Sequence, residues 1–362
     1  VLIYSAASAD IADAGRASLD EVAAALPAAG PGVGVAVQWG TPQGAVRRTL
    51  GPTASTPQPA PTDMSEPQTL SDFLAWGMRA VPARNYVVVI GGHAGGFLGA
   101  VEDPQRHRLM APDQMAQAFS EAGCHPAVLV FNACYMAQAE VAAEFAPHAA
   151  YMVASQAFES GAGMALGAAL GGIARAANAR EAATALVSSS ADVPDRISAV
   201  SALDLATMPA LQQSLDHLAG VLLSTPHAVE TAREHITRMR NFREDKPWDQ
   251  PLTDYKDVAD FTTRLEADAR LPAAVRAAAA EVGNRLRPTV VAHASHGSAP
   301  AAGLSIYLPT RDLAQTHGQP GAAALSLYQR LELSRESRWG RLVAALGASV
   351  EPAPAGVAAP RR

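Results

Sequence analysis

The chain has 362 residues, of which 49% are apolar and 17% charged, and carries a formal net charge of −6. That composition suits a folded protein with room for a large core and excludes a disordered chain. It also argues against a nucleic-acid partner, which would need a clustered basic face rather than isolated pairs such as Arg47-Arg48 and Arg361-Arg362.

In chain order, residues 1–6 and 32–39 read as buried strands with a helix over 11–25 between them. That is a βαβ unit, from which parallel sheets are built. The proline-rich stretch 51–67 reads as an exposed loop, followed by a helix over 69–79. Two β-branched runs, 86–90 and 127–131, read as central strands, separated by a helix that Pro112-Asp113 opens. A helix from 136 to about 145 and a strand over 150–154 follow. The stretch 161–177 contains five glycines and Arg175, so it reads as a helix packing closely through small residues. No stretch reaches the ~18–20 apolar residues of a membrane helix.

From about 201 the pattern becomes helical, over 202–224, 226–242, 258–269 and 272–286. The expected organisation is a core over 1–200, a helical subdomain over 201–286, and returning strands and helices over 287–350. Within that last part, 289–292 and 304–308 read as strands of the main sheet and 325–346 as closing helices. Residues 351–362 read as a disordered Pro/Ala tail.

The chemistry concentrates where two strands stop. VVVIGGHAGG at 87–96 ends at His93, and VLVFNACYMAQAE at 128–140 ends at Cys134. Open α/β sheets hold their ligands just beyond the carboxyl ends of their strands, so neighbouring strands would bring an imidazole and a thiol to one edge. A thiol followed by a helix N-terminus would have its thiolate favoured by unpaired N–H groups. Glycines 91, 92, 95 and 96 let a substrate backbone approach His93. The other thiol, Cys124, precedes the strand that Cys134 follows. Some six residues of strand span roughly 20 Å, beyond disulfide reach, so both cysteines are expected as thiols.

These segments resemble the clostripain family of cysteine peptidases, of the caspase-like clan. The resemblance lies in His93-Ala94-Gly95-Gly96 and Asn132-Ala133-Cys134-Tyr135-Met136 with Glu140, and further in Asp103, Leu109, Ala154-Ser155-Gln156 and the run 303–309. It implies a caspase-like three-layer α/β/α sandwich with a mostly parallel sheet and a helical C-terminal subdomain. It also implies a cysteine endopeptidase with a Cys134–His93 dyad and no obligatory carboxylate orienting the histidine. Backbone N–H groups at Ala94 and Cys134 would hold the oxyanion, and a polypeptide would be the substrate. Substrate contacts would fall to Asn132, Ser155, Gln156, Glu159 and Ala162.

Four positions depart from the family pattern. Ala94 stands for a glycine, Asn132 for an aspartate, and Ala162 for the aspartate that can face an arginine side chain. Met164 stands for a tryptophan. Cleavage after a basic residue, with Glu159 as the remaining acid, and cleavage after a neutral one both follow from this run. The same departures allow a silent caspase-like scaffold or a processing enzyme with a single target. Asp103 would anchor the loop after His93 or contribute to a metal site. No cofactor is required; calcium, known in parts of the family, stays open, and no EF-hand-like loop is present. Arg106 and Arg108 are candidate self-processing sites.

Other motifs are weak. Gly32-Val33-Gly34 lacks a third fingerprint glycine, 161–167 has the wrong glycine spacing, and His293 and His296 have no nearby ligand cluster for zinc. No basic and apolar leader is visible at residue 1. A bacterial protein is expected, secreted or periplasmic if a signal has been removed and cytoplasmic otherwise.

Overall fold

The computed structural model describes residues 1–51, 54–193, 195, 199–240, 242, 254–296, 301–310 and 319–348. The tail expected over 351–362 lies outside them, as does most of 241–253.

β1 (Leu2–Ala6) alternates its side chains between two layers, Leu2 and Tyr4 facing one and Ile3 the other. α1 (Ala12–Ala29) leads to β2 (Val35–Thr41), parallel to β1. The chain then turns back through β3 (Gly44–Leu50) and adds a short edge, β4 (Gln58–Ala60), both antiparallel. Sequence pattern misses β3 because Arg47 and Arg48 sit at its centre, and Arg47 gains its place by stacking on Trp76. The stretch expected as an exposed loop is also anchored: Met64 is fully buried, and its carbonyl accepts the Tyr4 hydroxyl at 2.8 Å.

α2 (Pro67–Ala80) begins with proline in its first turn and ends before β5 (Val87–Gly91). α3 (Pro112–Ala122), β6 (Val128–Asn132), α4 (Ala139–Phe145) and β7 (Tyr151–Ala154) complete two crossovers, with β5, β6 and β7 parallel. α5 (Leu166–Arg175) packs on α1 through small residues, the Gly167 position lying against the Glu21 backbone, and α6 (Ala179–Ala191) follows.

The helical pattern over 202–224 predicts one helix; instead β8 (Ala199–Asp204) pairs antiparallel with β7, and α7 (Met208–Ser224) starts only after it. The apolar run Ala199–Leu203 satisfies either period, and the open edge of β7 decides for strand. α8 (Ala228–Arg238), β9 (Tyr255–Asp257), α9 (Val258–Ala267) and α10 (Ala273–Thr289) lead to β10 (Val290–Ser295), which joins the sheet beside β8. β11 (Ser305–Tyr307) corrects another expectation, because it pairs with β9 in a separate two-stranded sheet. It touches the main body through a bridge from Ser305 to Gln138. α11 (Gln319–Arg330) and α12 (Arg338–Gly347) close the described chain.

The main sheet runs β10-β8-β7-β6-β5-β1-β2-β3-β4. Its parallel centre carries helices on both faces. α1, α5 and α6 bury Leu19, Val22, Leu166 and Leu186 against Ile3, Val89 and Val130. α2, α3, α4 and the later helices bury Phe73, Phe119, Leu215 and Trp339 against the opposite face. This is an α/β/α sandwich. The chain leaves β1 towards β2 and returns at β5 on the other side of β1, so the strand order reverses between them. A crevice opens at the carboxyl ends of the strands on either side of such a reversal.

Candidate active site

The register of β5 on β6 pairs Gly91 with Asn132. His93 and Cys134 each lie two residues beyond that pair, so the parallel sheet carries them out together. Both border one cavity of about 560 Å³ at this edge, together with Ala94, Asn132 and Glu159. Gly92 makes the His93 turn feasible: its φ is +131°, and a Cβ there would fall 2.5 Å from the Ala6 carbonyl oxygen.

Cys134 is half-buried, whereas Cys124 is fully buried and its thiol is pushed up to about 12 by burial. Neither forms a disulfide, in keeping with the strand between them. The Glu159 N–H donates to Cys134 Sγ at 3.3 Å, and the thiol is 3.6 Å from the Glu159 carbonyl oxygen it can donate to. The helix expected from 136 begins only at Ala139, so a helix terminus does not abut the sulfur. Tyr135 instead takes a left-handed φ of +64° and gives its N–H to the Ala157 carbonyl, and Ala137 gives its own to Ser155. These bonds hold the chain as an irregular turn, and the sulfur receives the Glu159 amide in place of a helix end.

Glu159 is 4% exposed, and neither carboxylate oxygen has a hydrogen-bond partner among the described residues. Burial pushes this carboxyl well above the usual carboxylate range. Ala94 borders the same cavity, and its N–H meets no acceptor among the described residues. Ala94 is not left-handed, so alanine costs nothing where the family has glycine.

The other expected contacts are differently engaged. Asn132 turns its Oδ1 to the Met164 N–H at 2.6 Å. Ser155 is buried and bonds Ala157 within its own turn. Gln156 is buried between Asp257 and the Gly303 N–H. Ser155 and Gln156 do not border the cavity, nor does Ala162, although its neighbours Gly161 and Gly163 do. Asp103 is fully buried and accepts the N–H groups of Met64, Gln105 and Arg106, which makes it the anchor of the loop after His93. Arg106 and Arg108 reach back to Asp63, and Arg108 also to Glu66. No cluster of metal-ligating side chains exists among the described residues, and none of their helices is long and apolar enough to cross a membrane.

One residue at the site escapes the sequence reading. Asp10, in the turn between β1 and α1, places its carboxylate 3.0 Å from His93 Nε2. The usable signal was positional: an acid just past a parallel strand, at the edge where His93 and Cys134 emerge.

No curated protein matches the chain. Among solved structures, an inactive zymogen C11 protease from Parabacteroides distasonis is 16% identical with a TM-score of 0.70, covering 92% of this chain and 96% of its own. A secreted C11 cysteine protease of Bacteroides thetaiotaomicron, iotapain, is 12% identical with a TM-score of 0.69, covering 84% of this chain and 92% of its own. A secreted C11 cysteine protease from the same organism, in complex with an irreversible peptide inhibitor, gives 13%, 0.68, 94% and 97%. These likenesses carry the fold. The clostripain family model matches residues 52–339, most of the chain, and with it both the His93 and the Cys134 segments. The chain belongs to the clostripain family and is a cysteine peptidase acting on polypeptides.

Proposed function

We propose that this peptidase is an endopeptidase working through Cys134 and His93, and that it cuts after a basic residue. One observation carries the reading: a single cavity brings together His93, Ala94, Cys134 and a buried, unpartnered Glu159. Amide hydrolysis needs a nucleophile, a proton for the leaving amine and donors for the oxyanion. In this reading the Cys134 thiolate attacks the scissile carbonyl while the N–H groups of Ala94 and Cys134 receive the oxyanion. The C–N bond breaks as imidazolium gives its proton to the amine. Water then attacks the thioester and gives a proton to the imidazole, and the Cys134 thiolate leaves, restoring the starting thiolate and imidazolium. The cycle is complete without a metal.

Specificity follows from Glu159. Its family counterparts at Asn132 and Ala162 are neutral here, which leaves Glu159 as the acid beside the nucleophile. An incoming guanidinium or ammonium would give the carboxylate the partner it lacks, whereas a neutral side chain would leave it protonated and unpaired.

A fluorogenic peptide library varied at the residue before the cut, run with and without calcium, tests this reading against Cys134→Ala. Turnover concentrated on arginine and lysine, lost in the variant, is the expected result. Preference for neutral residues overturns the Glu159 assignment and leaves the dyad standing. Turnover that survives Cys134→Ala overturns both.

A further inference from the structure

The spatial order of three neighbouring strands, β6-β5-β1, matches the order of three chemical groups at their carboxyl ends. Cys134 follows β6, His93 follows β5, and Asp10 follows β1. Both Asp10 carboxylate oxygens lie near His93 Nε2, at 3.0 and 3.2 Å. Nδ1 makes no hydrogen bond among the described residues. Partial burial is the largest single influence on the Asp10 carboxylate and opposes its charge, but the bond to His93, the imidazole's charge and nearby hydrogen-bond donors together outweigh it and hold the group below the usual carboxylate range.

The turn that holds Asp10 is built into the sheet. The Ala7 N–H continues the β1–β2 ladder to the Gly40 carbonyl, and the Ser8 carbonyl accepts the Ile11 N–H. Asp10 is therefore carried between a strand end and a helix start, opposite the Gly92 turn that packs on Ala6. The side chains are 66% and 37% exposed, so the pair contributes little to folding stability. What it fixes is the imidazole: the carboxylate orients the ring and keeps the proton on Nε2 in its neutral form.

We propose that Asp10 is a positioning residue for His93, making the working unit a Cys134–His93–Asp10 row rather than a dyad. The proposal rests on the Cys134–His93 reading above. The other ionisable groups bordering the cavity are Glu102, Tyr135 and Glu159. Glu102 is paired with His107 at 3.1 Å, and Glu159 touches the sulfur through its backbone.

The test compares wild type with Asp10→Asn, Asp10→Glu and His93→Ala. One readout is kcat and KM on a cleaved peptide. The second is the pH profile of iodoacetamide alkylation of Cys134, which needs no turnover; Cys124, fully buried, stays silent. Asp10→Asn is expected to lower kcat roughly 10- to 100-fold with KM nearly unchanged. It should also move the alkylation midpoint towards that of an ordinary thiol and pull the alkaline limb of kcat/KM to lower pH. Asp10→Glu should restore much of both, with unfolding temperatures close to wild type throughout. The proposal is overturned if Asp10→Asn keeps kcat and the alkylation profile while His93→Ala abolishes turnover. Full turnover by His93→Ala would instead remove the dyad reading, and Asp10 with it.

Discussion

Asn132 Oδ1 accepts the backbone N–H of Met164 at 2.6 Å, and Asn132 borders the cavity that holds Cys134. Gly163 lies against this contact in a left-handed turn of φ +59°, where a Cβ would overlap the Asn132 amide. The amide at the end of β6 thus supports the wall carrying Glu159 to Met164. Asn132→Ala leaves the Met164 N–H without that acceptor, and denaturant unfolding should register a loss of about 1–2 kcal/mol. Asn132→Asp can accept the same N–H and should keep near wild-type stability. Its negative charge, two residues before the nucleophile, should move Cys134 alkylation to higher pH.

Glu159 predicts a substrate preference that depends on pH. Its carboxyl is held well above the usual range by burial, so in the free enzyme it keeps its proton to higher pH than an ordinary carboxyl does. A raised acid ionises only as pH climbs, and only the ionised form attracts a cation. The ratio of kcat/KM for an arginyl peptide over a neutral counterpart should therefore rise with pH. Glu159→Gln, which keeps the shape and removes the charge, should flatten that ratio and lower it. A ratio that stays constant with pH in the wild type would remove Glu159 from the specificity pocket.

His93, Cys134 and the strands beneath them were legible because β-branched runs of a parallel sheet announce themselves, and because each run ends on its reactive residue. Asp10 was not legible. An aspartate before a helix looks like an ordinary turn residue until the strand order places β1 beside β5. How Asn132, Ser155 and Gln156 are engaged is not legible for a related reason. Motif position locates a residue near the site, but hydrogen-bond partners from Met164, Asp257 and Gly303 decide which way it is used. The state of β8 and the sheet that β11 joins were set by partners too, since short apolar segments take their state and their place from the edges they meet.

Gly92 supplies a test of the join between β1 and the His93 turn. Its φ of +131°, and the 2.5 Å that would separate an added methyl from the Ala6 carbonyl oxygen, leave no room for a side chain. Gly92→Ala should cost roughly 1–3 kcal/mol of stability from the strained backbone. It should also push His93 away from Asp10 and Cys134, so kcat should fall more than stability alone explains. Gly123→Ala, at a left-handed glycine with open space around it, provides the control: a positive φ without the clash, no displaced histidine, and activity near wild type in folded enzyme.

Glu140 sets a pH dependence of stability that is separate from catalysis. It is fully buried; one carboxylate oxygen accepts the Tyr307 N–H and the Tyr328 hydroxyl at 3.0 Å each, and the other has no partner among the described residues. Burial raises the group to about 7, the two hydrogen bonds only partly opposing it. The folded state therefore holds a proton that the unfolded chain releases near the ordinary carboxylate value. Stability from this group is complete below that value and declines as pH rises towards about 7, by ~3 kcal/mol at most. Glu140→Gln keeps an acceptor for both donors and removes the titration. The variant should match the wild type near pH 4 and exceed it at pH 8, as read by denaturant unfolding across the range. Glu144, also raised to about 7 by burial, adds a slope of the same sign, so the variant's decline should shrink without vanishing. A Glu140→Gln profile parallel to the wild type would mean that Glu140 is already ionised in the fold, stabilised by Tyr307 and Tyr328 beyond what burial takes away.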